Sequence, residues 1–201
     1  MIEKLLPLTK NKIEILKIIY EENEIHLSKI AKKLKLHPYS AQKTLSKLKL
    51  ILKEKKAGKT IILSLDKTQN KYFLMAELIE DYRLNTKNKI VNSIIKHSVN
   101  LFSSKNILTC VLFGSYARLS FTKESDIDLL LVVKEKNNEI KKKISQLTTI
   151  TGKEVNPLII SEKEFETMID NKEMSIMTLK QNSQRFIIRG IKYFLERIQN
   201  K

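Results

Sequence analysis

Apolar side chains return at Ile13, Leu16, Ile19 and Tyr20, three and four positions apart, which predicts an amphipathic helix over residues 9–23 with Thr9 as its N-cap. A second helix is expected over 28–35, capped by Ser28, with Ile30, Ala31 and Leu34 inward. Pro38 suits the first turn of a third helix, because the amide hydrogen it lacks would be unpaired there anyway. Ala41, Leu45 and Leu48 mark that helix's inner side, and Tyr39, Ser40, Gln42, Lys43, Ser46, Lys47 and Lys49 its outer side. Two β-prone runs then flank a Lys-Gly-Lys tip, so residues 51–65 read as a hairpin.

Helical spacing resumes over 69–85, with Phe73, Ala76, Leu78, Ile79 and Tyr82 as the apolar set, and over 87–103, with Ile90, Val91, Ile94, Ile95 and Val99 inward. The pattern then changes. Residues 107–113 and 127–133 are short continuous apolar runs, the signature of buried strands, and 153–160 reads as a third strand. Pro157 removes a ladder donor and predicts an edge or bulged position. Ser161 and Glu164 form a capping-box pattern ahead of a helical region carrying Phe165, Met168, Ile176, Met177 and Leu179. Met168, Met174 and Met177 read as core fillers. A short strand or turn at 186–190 precedes a last helix at 191–199.

Composition narrows the function classes. Cys110 is the one cysteine and lies in an apolar run, which predicts a small buried hydrophobe and excludes an internal disulfide or thiolate cluster. His26, His37 and His97 are scattered, so no zinc spacing is present. The apolar run Leu129–Val133 is far shorter than the roughly 20 residues of a membrane span, and Met1-Ile2-Glu3-Lys4 does not begin a secretory signal. A cytoplasmic protein without membrane attachment is expected. The net charge of +16 divides evenly: residues 1–66 carry 15 lysines and 7 acids, and residues 67–201 carry 23 lysines and arginines and 15 acids. The same excess on half the length makes the first third the denser positive body, which points to a polyanionic partner there.

Three short helices and a basic-tipped hairpin, over about residues 9–66, resemble a winged helix-turn-helix domain. The resemblance implies that the third helix enters the major groove of double-stranded DNA. Gln42 would then read a base edge, Ser40, Lys43, Lys47 and Lys59 would meet phosphate, and Tyr39 belongs to the same face.

The chemical motif lies further on. The strand ending at Phe113 runs into Gly114-Ser115-Tyr116-Ala117-Arg118. A glycine after a strand lets the backbone approach a ligand, and the following amides favour an anion such as a triphosphate. Ser115 adds a hydroxyl and Arg118 a charge. Eleven residues after Ser115, Asp126-Ile127-Asp128 opens the next strand and projects two carboxylates from one face. Two adjacent carboxylates repel unless a cation lies between them, and Mg2+ suits carboxylate and phosphate oxygens. No Gly-x-x-x-x-Gly-Lys-Ser/Thr loop and no Gly-x-Ser-x-Gly elbow is present, so neither a P-loop ATPase nor an α/β-hydrolase is indicated.

This combination, over about residues 86–160, is similar to the DNA polymerase β-like nucleotidyltransferase superfamily in its minimal form. The resemblance implies that Gly114 and Ser115 match the triphosphate turn and that Asp126 and Asp128 match the metal-binding aspartates, serving Mg2+ (or Mn2+) and an NTP. Members of the superfamily usually bring a third carboxylate from a neighbouring strand. The aligned position here is Asn156, with Glu154 two residues earlier as the available catalytic carboxylate.

The expected architecture is α/β (α+β overall) in three parts: a winged helix-turn-helix over 1–66, a connecting helix over 67–85, and a nucleotidyltransferase fold with a small mixed sheet over 86–201. The expected function is a DNA-binding nucleotidyltransferase that moves a nucleoside monophosphate onto an acceptor hydroxyl. The alternative is a degenerate nucleotide-sensing or dimerising transcriptional regulator, which Asn156 favours. A homodimer is the default for such a regulator. A protein acceptor or a small helical toxin is a further candidate partner.

Overall fold

The computed structural model describes residues 9–58, 60–68 and 71–199 and divides into two compact units, Met1–Tyr82 and Arg83–Lys201. Lys59 lies outside the described residues.

In the first unit, α1 (Lys10–Glu22) buries Ile13, Leu16, Ile19 and Tyr20. Thr9 holds the N-cap position without a side-chain cap bond. The Tyr20 hydroxyl donates to Glu80 Oε1 at 2.7 Å, which gives two buried polar side chains a common solution. A two-residue strand, β1 (Ile25–His26), leads into α2 (Leu27–Leu34). His26 is therefore the N-cap, and Ser28 falls inside the first turn instead of capping it. The reason is that Ile25 and His26 are extended by pairing with Leu63 and Ile62, which leaves the helix free to start at Leu27. Pro38 opens α3 (Pro38–Ser46) at N1, and the His37 ring accepts from the Tyr39 amide at 3.3 Å where a Ser or Asp cap would usually serve. β2 (Leu52–Ala57) and β3 (Thr60–Leu65) form the antiparallel hairpin, in a three-stranded sheet of order β1-β3-β2. α4 (Lys71–Leu84) buries Tyr72, Met75, Ala76 and Ile79. The expected set differs there, because Phe73, Leu78 and Tyr82 are only half-buried and the strict 72-75-76-79 stripe faces the core.

The second unit is a mixed four-stranded sheet with helices, of strand order β6-β5-β4-β7. Its strands are β4 (Ile107–Phe113), β5 (Ile127–Val133), β6 (Val155–Ser161) and β7 (Phe186–Arg189). β5 and β6 are parallel and the other two pairings are antiparallel. A parallel pair needs a crossover, and α7 (Asn138–Thr151) supplies it. That helix was not expected from the sequence, though its signals are there: the Asn137 side chain accepts from the Ile140 amide, Ile140 and Leu147 are buried, and Gly152 ends it in a left-handed turn. Pro157 sits on β6, an edge strand, where a missing amide costs no internal ladder bond.

α5 (Lys89–Leu101) starts at Asn88, whose side chain accepts from the Ile90 and Val91 amides. It buries Val91, Ile94, Ile95 and Ser98, whereas Ile90 and Val99 are exposed, contrary to expectation. The inner stripe runs 91-94-95-98, and positions 90 and 99 lie on its outer flanks. After the five-residue helix α6 (Gly114–Arg118), the remaining helices are α8 (Glu162–Asp170), α9 (Met174–Leu179) and α10 (Ile191–Gln199). The capping box of Ser161 and Glu164 forms at α8 as expected. Lys136 beside it holds the Glu164 carboxyl at about 2, well below the usual range. Met174 is 80% exposed, which corrects its assignment to the core, since α9 turns Ile176 and Leu179 inward instead.

The core of this unit is the central strand and its neighbours: Leu129, Leu130, Leu131, Val132 and Val133 are all fully buried. Cys110 is buried as expected, and burial pushes its thiol far above the ordinary range, so it is an inert hydrophobe. Where β7 ends, Gly190 adopts a φ of +68°, and a Cβ there would stand 1.9 Å from the Leu108 carbonyl oxygen. Arg185 is fully buried; it donates to the Leu179 carbonyl at 2.6 Å and to Asn182 Oδ1 at 2.7 Å, and its guanidinium lies 5.1 Å from the Phe194 ring centroid.

Candidate active site

The central pairing of the second unit builds the site. β4 and β5 are antiparallel, so the end of β4 meets the start of β5, with Phe113 opposite Asp128. β6 runs parallel to β5 on the other side, with Asn156 opposite Asp128. Asp128 is thus held between the turn at Gly114 and the amide of Asn156.

Gly114 takes a φ of +69°, and a Cβ there would lie 2.0 Å from Asp128 Oδ2 and 2.9 Å from its Cγ. The glycine is what lets the carboxylate lie against the turn. Gly114→Ala should cost roughly 1–2 kcal/mol for the left-handed backbone alone. It should also displace Asp128 and lower any activity of this site by on the order of 100-fold, the scale a 1 Å misplacement can cost. Activity that stays near wild-type in a folded Gly114→Ala protein would show that the close approach is unnecessary.

Ser115 is half-buried and follows in the first turn of α6, while Arg118 is exposed at its last position. The helix closes on Leu119, a left-handed residue at φ 59° whose amide reaches the Ser115 and Tyr116 carbonyls. Tyr116 is fully buried, stacks on Phe121 with centroids 4.3 Å apart, and donates to the Ser125 carbonyl at 3.3 Å. These contacts fix the loop that leads back to Asp126. Burial, and then the nearby Asp126 charge, raise the Tyr116 hydroxyl's pKa.

Asp126 is exposed just before β5, and Asp128 is half-buried as its second residue. Burial raises the Asp128 carboxyl above the ordinary range; the Asn156 hydrogen bond opposes this, the Asp126 charge adds to it, and the Arg118 charge opposes it. The Asp126 and Arg118 charges thus both act on Asp128, in opposite directions. Asn156 Nδ2 donates to Asp128 Oδ1 at 3.2 Å, a contact that strand register alone could have indicated.

Glu154 is exposed and precedes β6, with its carbonyl accepting from the Ile127 amide at 2.8 Å. Asn156, not Glu154, is the residue that touches Asp128. Among the described residues, no group of three or more His, Cys, Asp or Glu side chains could hold a metal ion. Two carboxylates do fit Mg2+ or Mn2+ when a nucleotide's phosphates supply the remaining oxygens, since Mg2+ typically takes one or two protein carboxylates. A cavity of about 630 Å³, lined by Lys136, Ser161, Glu164, Thr167 and Met168, lies at the other ends of β5 and β6.

In the first unit, Tyr39, Ser40, Gln42 and Lys43 lie on the exposed side of α3 and Lys47, its C-cap, is exposed just past its end, with Ala41 and Leu45 on the helix and Leu48 beyond it buried. Lys55 and Lys56 are exposed on β2, and Lys53 pairs with Asp66 at 3.3 Å.

A family match falls within the second unit. The family described as polymerase beta, nucleotidyltransferase, matches residues 96–185. Over 79 residues the chain is 37% identical to a Methanocaldococcus jannaschii protein described as "Putative protein adenylyltransferase MJ0604", covering 38% of this chain and 79% of that one. A solved structure described as "Crystal structure of the toxin-antitoxin with AMP-PNP" aligns at 18% identity with a TM-score of 0.36, over 54% of this chain and 83% of its own.

Proposed function

The chain belongs to the polymerase beta nucleotidyltransferase family, and from that premise we propose that it transfers a nucleoside monophosphate from an NTP to a protein hydroxyl, with a divalent cation. The observation that carries the reading is the convergence of Gly114, Asp126 and Asp128 at one end of β4 and β5. The adenylyltransferase description of the archaeal relative supports ATP as donor and protein as acceptor.

Each residue then has a task. The Gly114-Ser115 turn lies where the polyphosphate approaches, with the Ser115 hydroxyl as a donor to it. Arg118 brings a positive charge beside the acids and offsets phosphate charge. Asp126 and Asp128 would hold Mg2+ or Mn2+, which when bound neutralises phosphate charge and aligns the reacting oxygens. Asn156 fixes Asp128 in orientation. It cannot take a proton from the acceptor, because a neutral amide is a far poorer base than a carboxylate. Glu154, near this strand start, is the carboxylate left for that task.

Incubation with ATP labelled in the α-phosphate should label a protein acceptor when Mg2+ is present and not when it is chelated. Label-free incubations with nucleotide binding retained would support the nucleotide-sensing regulator, which the amide at position 156 favours. The rest of the partner set is open to the same experiment: a small helical toxin is one acceptor to include.

A second reading concerns the first unit, which we propose is a winged helix-turn-helix domain over 1–66 that binds double-stranded DNA, as a homodimer. Its support is the helix order with the β1-β3-β2 sheet, the exposed polar face of α3, and the lysines of the hairpin. Duplex binding by the full chain should weaken by on the order of tenfold or more between 50 and 200 mM salt, through phosphate neutralisation. Lys43→Ala and Lys47→Ala together should shallow the salt slope by about 2. Duplex binding that ignores salt, or none at low salt, would defeat the reading.

A further inference from the structure

We propose that Asn156 is a positioning residue that limits this centre to one divalent cation, delivered together with the nucleoside triphosphate. The inference rests on the reading that Asp126 and Asp128 hold the cation.

The register of β5 and β6 sets Asn156 beside Asp128. Its Nδ2 lies 3.2 Å from Asp128 Oδ1. An ionised carboxylate only accepts hydrogen bonds, so the amide must present its nitrogen to it. The amide oxygen, the one side-chain atom of Asn156 suited to ligate a cation, is thereby turned from Asp128. Turning it back would give up the hydrogen bond and set two oxygens against each other.

Glu154, the nearby carboxylate, is exposed before β6 and does not join the aspartates in a metal-binding group. Among the described residues, no third His, Cys, Asp or Glu joins the two aspartates in a metal-binding group. Asp128 Oδ2 lies against Gly114, where a Cβ would be only 2.0 Å away. Two carboxylates balance the charge of one divalent ion, and among the described residues no third carboxylate joins them to hold a second. Two carboxylates also leave most of a six-coordinate shell to be filled by phosphate oxygens and water. The cation's affinity should accordingly depend on the nucleotide.

The test is to count Mn2+ bound to the full chain by electron paramagnetic resonance, with and without a non-hydrolysable ATP analogue. Wild-type protein should bind one Mn2+ per chain with the analogue, and at least tenfold more weakly without it. Asn156→Asp restores a third carboxylate at an exposed position and should bind two with the analogue. Asn156→Ala should still bind one, more weakly, because Asp128 loses its orienting donor. A purely structural Asn156 would leave both variants with wild-type stoichiometry and affinity. Two Mn2+ in the wild type, or one in Asn156→Asp, overturns the inference and leaves the nucleotidyltransferase reading standing. No Mn2+ bound even with the analogue overturns both.

Discussion

Asp128→Asn should abolish Mg2+-dependent nucleotide transfer, by on the order of 1,000-fold or more, while leaving the protein as stable as before or more so. On the proposed assignment, the loss follows from removing one of the two carboxylates offered to the cation, with the charge stabilisation that depends on it. The retained stability follows from the surroundings. Burial and the Asp126 charge both disfavour the charged form of Asp128, so its pKa is raised in the folded protein. A raised carboxyl pKa favours the folded state below the unfolded value and loses that contribution as pH rises through the folded value. At neutral pH the wild-type protein therefore bears an electrostatic cost at Asp128 that Asn does not. The Asn amide can still accept from Asn156. Urea midpoints should be equal or higher for Asp128→Asn at pH 7, with the difference closing below the carboxylate range. A marked fall in the midpoint at pH 7 would mean that Asp128 serves the fold, and the assignment to chemistry would lose its physical basis. A site that costs stability when empty is common where function requires like charges close together.

Gly190→Ala is expected to have the largest effect on stability, on the order of 3–4 kcal/mol or more, from combined backbone strain and displaced strands. An alanine at φ +68° costs roughly 1–2 kcal/mol by itself. Its Cβ would also stand 1.9 Å from the Leu108 carbonyl oxygen and 3.0 Å from Thr109 Cα. Both are backbone atoms, so no side chain can swing aside. β4 must part from the end of β7, at the pairing of Cys110 with Arg189. β4 also carries the turn into Gly114, so the disturbance is in the strand that feeds the site. Gly152→Ala is the control: it has a similar φ of +63° with nothing within 4 Å, and should show only the backbone cost. Equal urea midpoints for the two variants would contradict the close-approach argument.

The sequence made the chemical half of this site visible because its parts are local. Gly114, Ser115, Arg118, Asp126 and Asp128 fall in one stretch with strands on both sides, and apolar runs marked those strands without ambiguity. Asn156 was also visible as the position where a carboxylate is missing. Its hydrogen bond to Asp128 was not, since it depends on a parallel register that only the crossover α7 sets. That helix escaped notice because Lys141, Lys142 and Lys143 interrupt an apolar stripe of few residues. Misassigned faces have one cause: apolar residues outnumber the buried positions. Ile90, Val99 and Met174 are exposed although their type favours the interior. Arg185 is the converse, a charged residue fully buried because a backbone carbonyl, the Asn182 side chain and an aromatic face receive it, which no periodicity could announce.

The locality of the site has a consequence for how the chain closes around it. Residues 114–128 bring the Gly114 turn and both acids together within fifteen positions, whereas Asp128 and Asn156 are 28 apart. Loop-closure entropy rises only by about 0.6 kcal/mol per doubling of length, so the longer connection adds little to the cost of assembly. The difference matters more to substitution. A strand, turn and strand hold the proposed reactive groups as one short cassette, and the amide that touches Asp128 arrives on a separate piece of chain. A substitution on β6 can therefore alter the hold on Asp128 while leaving the residues of the turn and the acids as they are.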